Sequence, residues 1–478
     1  MTVFNLFVRT TVLALLLAAP LYADEVVQVE GQRFNAPAGS AAKEPVKLRL
    51  DPASLPVLAA RGAIVNASDT VLPPLTEGER THLQQQDEGG EKALRIGVGR
   101  NLPETAAPTD WAWRPVDDGL AAHVGFVSSG AQRVRLQLKA QSLPAGVELR
   151  FYSPQEPAVV YGPFTQADFV ASTDGSAGAG QLWSPSVAGD TLKMEVFLPA
   201  GVQPAALNLL APKLSHVALD PVSGEAEAGV FKAASTACYF DLACSPTNLQ
   251  AEGGAVAGYL FTHANGDTGF CSGVLVNTTV GTGTPYFLTA NHCISDATMA
   301  ATMNPVWQFA NSSCGGNDAS AHAIFTTGGG QLLVTDATLD TTLVKLNTYP
   351  PEPNFFAGWR TTLFQYQASV TGIHHDVVDA AILPKLYSAG TFLGYANVQD
   401  GRVVGDSNGK FAVVQWTQGV TETGGSGSGL WESEGGSLYL KGLLSRGSAS
   451  CSNPTGTDYY VRLDQSYPLL QPWLNPAH

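Results

Sequence analysis

From Leu94 onward, apolar and polar residues alternate with a period of two. Leu94, Ile96 and Val98 share one face, as do Val134, Leu136 and Leu138, then Val147, Leu149 and Phe151. Leu192, Met194, Val196 and Leu198 repeat the pattern, with Lys193 and Glu195 on the opposite face. A period of two is that of a pleated strand with one buried face. Leu143-Pro144-Ala145-Gly146 reads as a hairpin turn between two of these strands. Together they predict a small β-sandwich-like domain. Residues 24–90, rich in Ala, Pro, Glu and Gln with weak periodicity, are expected to be loosely structured. Residues 224–229 read as a flexible acidic link. Beyond it, short apolar runs recur between Gly, Asn and Thr clusters, at 256–261, 273–276, 286–289, 341–346, 411–416 and 438–444. Regularly spaced short strands with turn signals predict a second all-β unit, a sandwich or barrel. Helical periodicity is confined to 465–474.

Composition sharpens this picture. A chain of 478 residues suits two to four folded units, at about 100–200 residues per domain. With 44% apolar and 14% charged residues it reads as globular, since a disordered chain would be more charged and less apolar. The net charge of −15 argues against a nucleic-acid or anionic-membrane partner, because both select basic surfaces. Arg9 precedes an apolar run over 10–19, and Leu21-Tyr22-Ala23 ends in a small residue. Residues 1–23 therefore read as a secretory signal, cut near Ala23. The run is shorter than the roughly 20 apolar residues a membrane span needs, and no later stretch reads as one, so no membrane partner is expected for the mature form. All six cysteines lie between Cys238 and Cys451. An even count in an exported chain predicts three disulfides, and spacing alone leaves 15 pairings open.

Three local motifs carry candidate chemistry. Phe287-Leu288-Thr289-Ala290-Asn291-His292-Cys293 is an apolar strand ending in His and Cys; Asp340 opens the alternating run over 340–346; Thr423-Gly424-Gly425-Ser426-Gly427-Ser428-Gly429 is a glycine-flanked serine. Each alone is weak, but their order, His then Asp then Ser, is that of the chymotrypsin-like triad. A serine hydroxyl needs an adjacent base to become a nucleophile, and His292 can accept and return its proton near pH 7. Asp340 would fix the imidazole tautomer, and the glycines would let the Gly424 and Ser426 amides face an oxyanion. No His-Glu-x-x-His motif, phosphate loop or strict G-x-S-x-G elbow occurs, and His374-His375-Asp376 lacks clear ligand spacing, so no metal or cofactor is expected.

From Cys238 to the C-terminus the chain resembles the lysyl endopeptidases, secreted bacterial chymotrypsin-like serine proteases. Cys271-Ser272-Gly273-Val274-Leu275, the 287–293 strand, the 340–346 strand, Ala357-Gly358-Trp359, Ile373-His374-His375 and 420–429 carry the resemblance. It implies an all-β chymotrypsin-like double β-barrel over 233–478, preceded by a β-rich propeptide over 24–232. It also implies the pairs Cys238–Cys451, Cys244–Cys314 and Cys271–Cys293. By resemblance Ser426, not Ser428, fills the nucleophile slot. The trypsin-type acid six residues before it is absent, since Val420 stands there. The family's lysine-binding aspartate corresponds to Asp458, with Asp464 and Glu422 as alternatives. Ser445 replaces a family histidine near the base, and Tyr395 is expected to supply the neighbouring aromatic and to take part in binding the substrate lysine.

Lys232, in Phe231-Lys232-Ala233, lies where the family's mature chain begins, so a lysine-specific enzyme could release itself by cutting between Lys232 and Ala233. Residues 233–478 hold only four lysines, Lys345, Lys385, Lys410 and Lys441, although lysine is ordinarily common. The expected partners are protein or peptide substrates and the chain's own propeptide. Arg or dual Lys/Arg specificity is the nearest rival, and a non-enzymatic secreted protease-like binding protein is the alternative from another class.

Overall fold

In a computed structural model of the chain, residues 26–37, 46–50, 69–85, 91–103, 108–140, 143–171, 180–221, 223, 226–227, 238–378, 381–399 and 402–476 are described. The expected signal segment and the Lys232–Ala233 bond lie outside them.

The N-terminal half is built from helix α1 (Glu77–Gln84) and strands β1 (Leu94–Asn101), β2 (Gly119–Ser128), β3 (Arg133–Ala140), β4 (Glu148–Tyr152), β5 (Thr191–Pro199) and β6 (Leu209–Val217). One sheet runs β2–β5–β4 and the other β1–β6–β3. Their facing side chains, among them Phe126, Val134, Leu136, Phe151 and Met194, form one core. The turn at 143–146 forms, with the Val147 amide donating to the Pro144 carbonyl and Gly146 at φ 79°. It does not make a hairpin, because β3 and β4 belong to different sheets and the turn carries the chain across the sandwich.

Where residues 24–90 are described, they are more ordered than their composition suggests. Thr76 and Glu79 form a reciprocal capping box that fixes the start of α1. Gln28–Val29 pairs with Trp359 and Arg360 in the C-terminal half. Glu195, on the polar face of β5, is fully buried because the Arg49 and Leu50 amides and His123 donate to it. Burial alone would raise its pKa, but these donors hold it below the ordinary value. The expected acidic link is likewise tied down where it is described. Glu227 is buried and pairs with Arg80 and His216, and Ala226 bridges Leu219.

The C-terminal half holds two antiparallel six-stranded units. The first comprises β7 (Val256–Thr262), β8 (Thr268–Val276), β9 (Tyr286–Thr289), β10 (Asn304–Trp307), β11 (Gly330–Asp336) and β12 (Thr341–Leu346), in the order β10–β7–β8–β9–β12–β11. The second comprises β13 (Ser369–His374), β14 (Leu386–Gln399), β15 (Phe411–Gln418), β16 (Gly429–Glu434), β17 (Ser437–Gly447) and β18 (Thr457–Arg462). Its pairings run β13–β14–β15–β18–β17–β16 and back to β13, which closes the barrel. Closure removes the unpaired edges that an open sheet would expose. Helix α2 (Leu463–Leu474) follows, close to the expected position. The architecture is the all-β chymotrypsin-like one. The six cysteines pair 238–451, 244–314 and 271–293.

The halves share one sheet. Strand β1 pairs with β8 of the first barrel, Leu94 opposite Phe270 and Gly97 opposite Thr268. Arg135 of β3 reaches across this junction, donating to the Thr262 hydroxyl and the Thr302 carbonyl, and burial lowers its pKa to about 9.

Candidate active site

His292 follows β9, Asp340 opens β12, and Ser426 stands in the loop before β16, so the two barrels contribute from opposite sides of one cleft. The Ser426 hydroxyl lies 2.7 Å from His292 Nε2. On the other side of the ring, Nδ1 is 2.9 Å from Asp340 Oδ2, and the His292 amide donates to Asp340 Oδ1 at 3.0 Å. Asp340 adopts φ 42°, an αL conformation that Asp tolerates better than most residues. The Ser445 hydroxyl donates to its Oδ2 at 2.5 Å. The Cys271–Cys293 disulfide ties the residue after His292 to β8. Among the described residues, Cys271, His292 and Cys293 are the one cluster with metal-ligand proximity, and both sulfurs are already bonded to each other.

The electrostatics follow from this geometry. Burial disfavours charge on His292, but the hydrogen bond and charge of Asp340, with help from Glu91, outweigh it and raise the imidazole pKa. Burial pushes Asp340 the other way, yet His292 and Ser445 hold its carboxyl below the ordinary value. The pair thus favours imidazolium beside carboxylate, the charge state reached after proton abstraction.

The serine loop owes its shape to two glycines. Gly424 adopts φ 98°, in the region that favours residues without a Cβ. Gly427 sits at φ 79°, and a Cβ there would lie 2.3 Å from the Thr289 hydroxyl and 2.4 Å from the Ser272 carbonyl. The Gly427 amide donates to Leu444 and the Ser272 amide to Ser426, so the loop is held to both barrels.

A segment of the N-terminal half occupies the cleft. The carbonyl of Lys92 accepts from the Gly424 amide at 2.5 Å and lies 3.5 Å from the Ser426 amide. Its ammonium enters a closed pocket of the second barrel and meets Asp458 Oδ1 at 2.7 Å, the Thr421 carbonyl at 2.6 Å, the Thr421 hydroxyl at 2.5 Å and the Ala449 carbonyl at 2.9 Å. Asp458 is fully buried, and its second oxygen accepts from the Trp416 indole and the Thr421 hydroxyl, each at 2.6 Å. A carboxylate so placed is shielded from water and oriented by donors before a cation arrives.

Of the other residues expected in the pocket, Glu422 stands beside it but accepts from the Cys451 amide and the Tyr239 hydroxyl, not from the ammonium. Burial pushes its pKa up, and the Cys451 amide and Lys92 offset this only in part. Asp464 pairs with Arg462. Tyr395 is not brought to the ammonium. Its ring packs on Phe392 and beneath Arg462, and its hydroxyl accepts from the Phe364 amide. Thr421, Trp416 and Lys92 carry no local signal, and Ser445 enters the sequence reading only by resemblance, as a replaced histidine. Trp416 and Thr421 looked like strand and loop residues, and nothing in the sequence around Lys92 sets it apart from other lysines.

A serine and histidine in hydrogen-bond contact, an aspartate behind the ring and two amides aimed at one carbonyl oxygen, all set between antiparallel barrels, make this a serine endopeptidase. The lysyl endopeptidase C-terminal domain family matches residues 232–461, and the lysyl endopeptidase N-terminal domain family matches residues 71–218. A lysyl endopeptidase of Pseudomonas aeruginosa is 31% identical over 402 residues, covering 80% of this chain and 82% of its own. The chain belongs to the lysyl endopeptidase family. Among solved structures, the active form of the Rv3671c protease from M. tuberculosis is similar over 51% of this chain and 93% of its own, at 11% identity and a TM-score of 0.32.

Proposed function

We propose that the chain is a secreted zymogen whose C-terminal half, once released after Lys232, hydrolyses peptide bonds on the carboxyl side of lysine. Ser426 attacks the scissile carbonyl carbon while His292 takes its proton, and Asp340 steadies the imidazolium. The Gly424 and Ser426 amides hold the oxyanion; losing one such donor costs about 2.7–4 kcal/mol of barrier in comparable sites. His292 then gives the proton to the leaving amine, and water resolves the acyl-enzyme by the same route in reverse. The N-terminal half acts as the propeptide, an intramolecular partner that covers the cleft until it is removed.

The observation that carries the reading is the seat of Lys92, with its carbonyl at the two amides and its ammonium on Asp458. Three residues, Asp458, Thr421 and Ala449, set their oxygens around one nitrogen, with the carboxylate and two carbonyls as its acceptors and the Thr421 hydroxyl beside them. That set matches the three donors of an ammonium, whereas a guanidinium is longer, planar and best met by a bidentate fork. The pocket therefore favours lysine over arginine. Digesting a protein mixture with the mature enzyme and reading the residue before each cut tests this. Lysine should dominate; a comparable share of arginine would overturn the specificity, and no cutting at all would favour a binding protein. Asp458→Asn should lower kcat/KM on lysyl substrates about 10²–10⁴-fold, since a buried charge without its partner costs about 3–5 kcal/mol. An unchanged kcat/KM would move the pocket acid to Glu422 or Asp464.

A further inference from the structure

We infer that the Lys92–Ala93 bond is itself a processing site, cut within the same molecule by Ser426, and that the cut ends stay in place. This rests on the functional reading above, because it uses the same serine and the same pocket. Lys92 is not simply near the cleft. Its side chain fills the lysine pocket, its carbonyl oxygen lies at both amide donors, and the residue is 5% exposed.

The chain is also extended along the enzyme on both sides of the bond. On the acyl side, Glu91 pairs in antiparallel fashion with Arg446 of β17, and their side chains form an ion pair at 3.2 Å. On the amine side, Leu94 to Gly97 pair with Phe270 to Thr268. A bond whose acyl residue fills the specificity pocket, whose carbonyl faces the amide donors and whose flanks lie along the edges of both barrels is presented as a substrate.

The step balances without any added reagent except water. The Ser426 oxygen forms an ester with the Lys92 carbonyl carbon, the Lys92 C–N bond breaks, and the serine proton passes through His292 to the Ala93 nitrogen, which leaves as an amine. Water then adds to the ester carbon, returning the proton to Ser426 and leaving a Lys92 carboxylate. Neither new end is free to depart. Residues 94–101 remain a strand of the shared sheet, and the segment before Lys92 remains attached through Gln28–Val29 on Trp359 and Arg360, and through Glu195 on Arg49 and Leu50. The cut at Lys92 is therefore a nick, distinct from the release expected after Lys232.

The test uses purified full-length precursor, followed by intact mass under denaturing conditions and by native gel filtration. Wild type should yield fragments ending at Lys92 and beginning at Ala93 that co-elute natively, with a half-time unchanged on dilution. Ser426→Ala should yield neither. Lys92→Gln should lose both fragments while its matured form cleaves an added lysyl peptide as fast as wild type. Ala93→Pro keeps the Lys92–Asp458 pair and should also lose them, which guards against a folding defect in Lys92→Gln. If wild type cleaves an added lysyl peptide but never shows an Ala93 terminus, the inference is wrong and the functional reading stands. A rate proportional to precursor concentration, or Ala93 termini persisting in Lys92→Gln, overturns it as well. A preparation that cleaves no lysyl peptide overturns the functional reading, and this inference with it.

Discussion

Asp340 holds His292 by two contacts at once, ring nitrogen and backbone amide, and is itself held by Ser445. A hydrogen bond to a charged group contributes about 1.5–3 kcal/mol, so Ser445→Ala should lower kcat roughly ten-fold or more while leaving KM near wild type. An unaltered kcat would mean that Ser445 plays no part in placing the carboxylate. The pH profile reads the same contacts. His292 must be neutral to accept the serine proton, and its pKa is raised above the ordinary 6.5, so kcat/KM should fall as pH drops through a midpoint above 6.5. Asp340→Asn removes the charge that raises it and leaves burial, which lowers it. The acid limb should then move below that value and kcat should drop by about 10⁴. A limb that stays put would detach the titration from His292. At this scale the residues with motifs were legible: His292, Asp340 and Ser426 each stand at a strand end or in a glycine loop. Ser445 was not, because its resemblance-based slot made it a lost histidine. Only the fold brings its hydroxyl to Asp340, 105 positions away in sequence.

Between residue and domain, the serine loop is shaped by close approach as much as by hydrogen bonds. An L-residue in the left-handed region costs about 1–2 kcal/mol, and at Gly427 a methyl group would also strike Thr289 and Ser272. Gly427→Ala should therefore reduce the melting temperature and abolish activity together. A stable, fully active variant would show that the loop can relax. Strand periods were readable because each strand has an apolar face. The runs at 286–289 and 341–346 coincide with β9 and β12, and those at 256–261 and 411–416 fall within β7 and β15. What period two cannot tell is what covers the polar face. Arg135 and Glu195 sit on faces expected to meet solvent, yet both are fully enclosed, one by the first barrel and the other by residues 49–50. The same ignorance of partners turned a sheet crossover at 143–146 into an expected hairpin, because local turn chemistry is the same in both.

For the molecule as a whole, the question is what would keep the N-terminal half in place if the chain is cut as proposed. The shared sheet is part of the answer, and Asp267, at the tip of the β7–β8 hairpin, is the charged clamp on it. One of its oxygens accepts from the Gly99 amide of β1 at 3.0 Å; the other lies 2.8 Å from His82 Nε2 of α1 and 3.5 Å from Arg95 Nε. Burial alone would raise the Asp267 pKa, but the Gly99 amide and His82 hold it below the ordinary 3.8. A depressed carboxyl pKa stabilises the bound form above the ordinary value, and that stabilisation is lost as pH falls through the bound-state value. The clamp should thus be intact at neutral pH and released only below pH 3.8. Cut protein should co-elute as one species in gel filtration at neutral pH and separate in that acid window. Asp267→Asn should separate at a higher pH, because it keeps the shape but gives up the charge that faces His82 and Arg95. If both proteins part at the same pH, the hold lies in the sheet and in the Lys92–Asp458 pair rather than in this carboxylate. Under the proposed lysine specificity, the C-terminal half is protected from its own site in another way. Of its four lysines, Lys385 and Lys441 are buried, which leaves Lys345 and Lys410 as the sites at which the enzyme could cut itself.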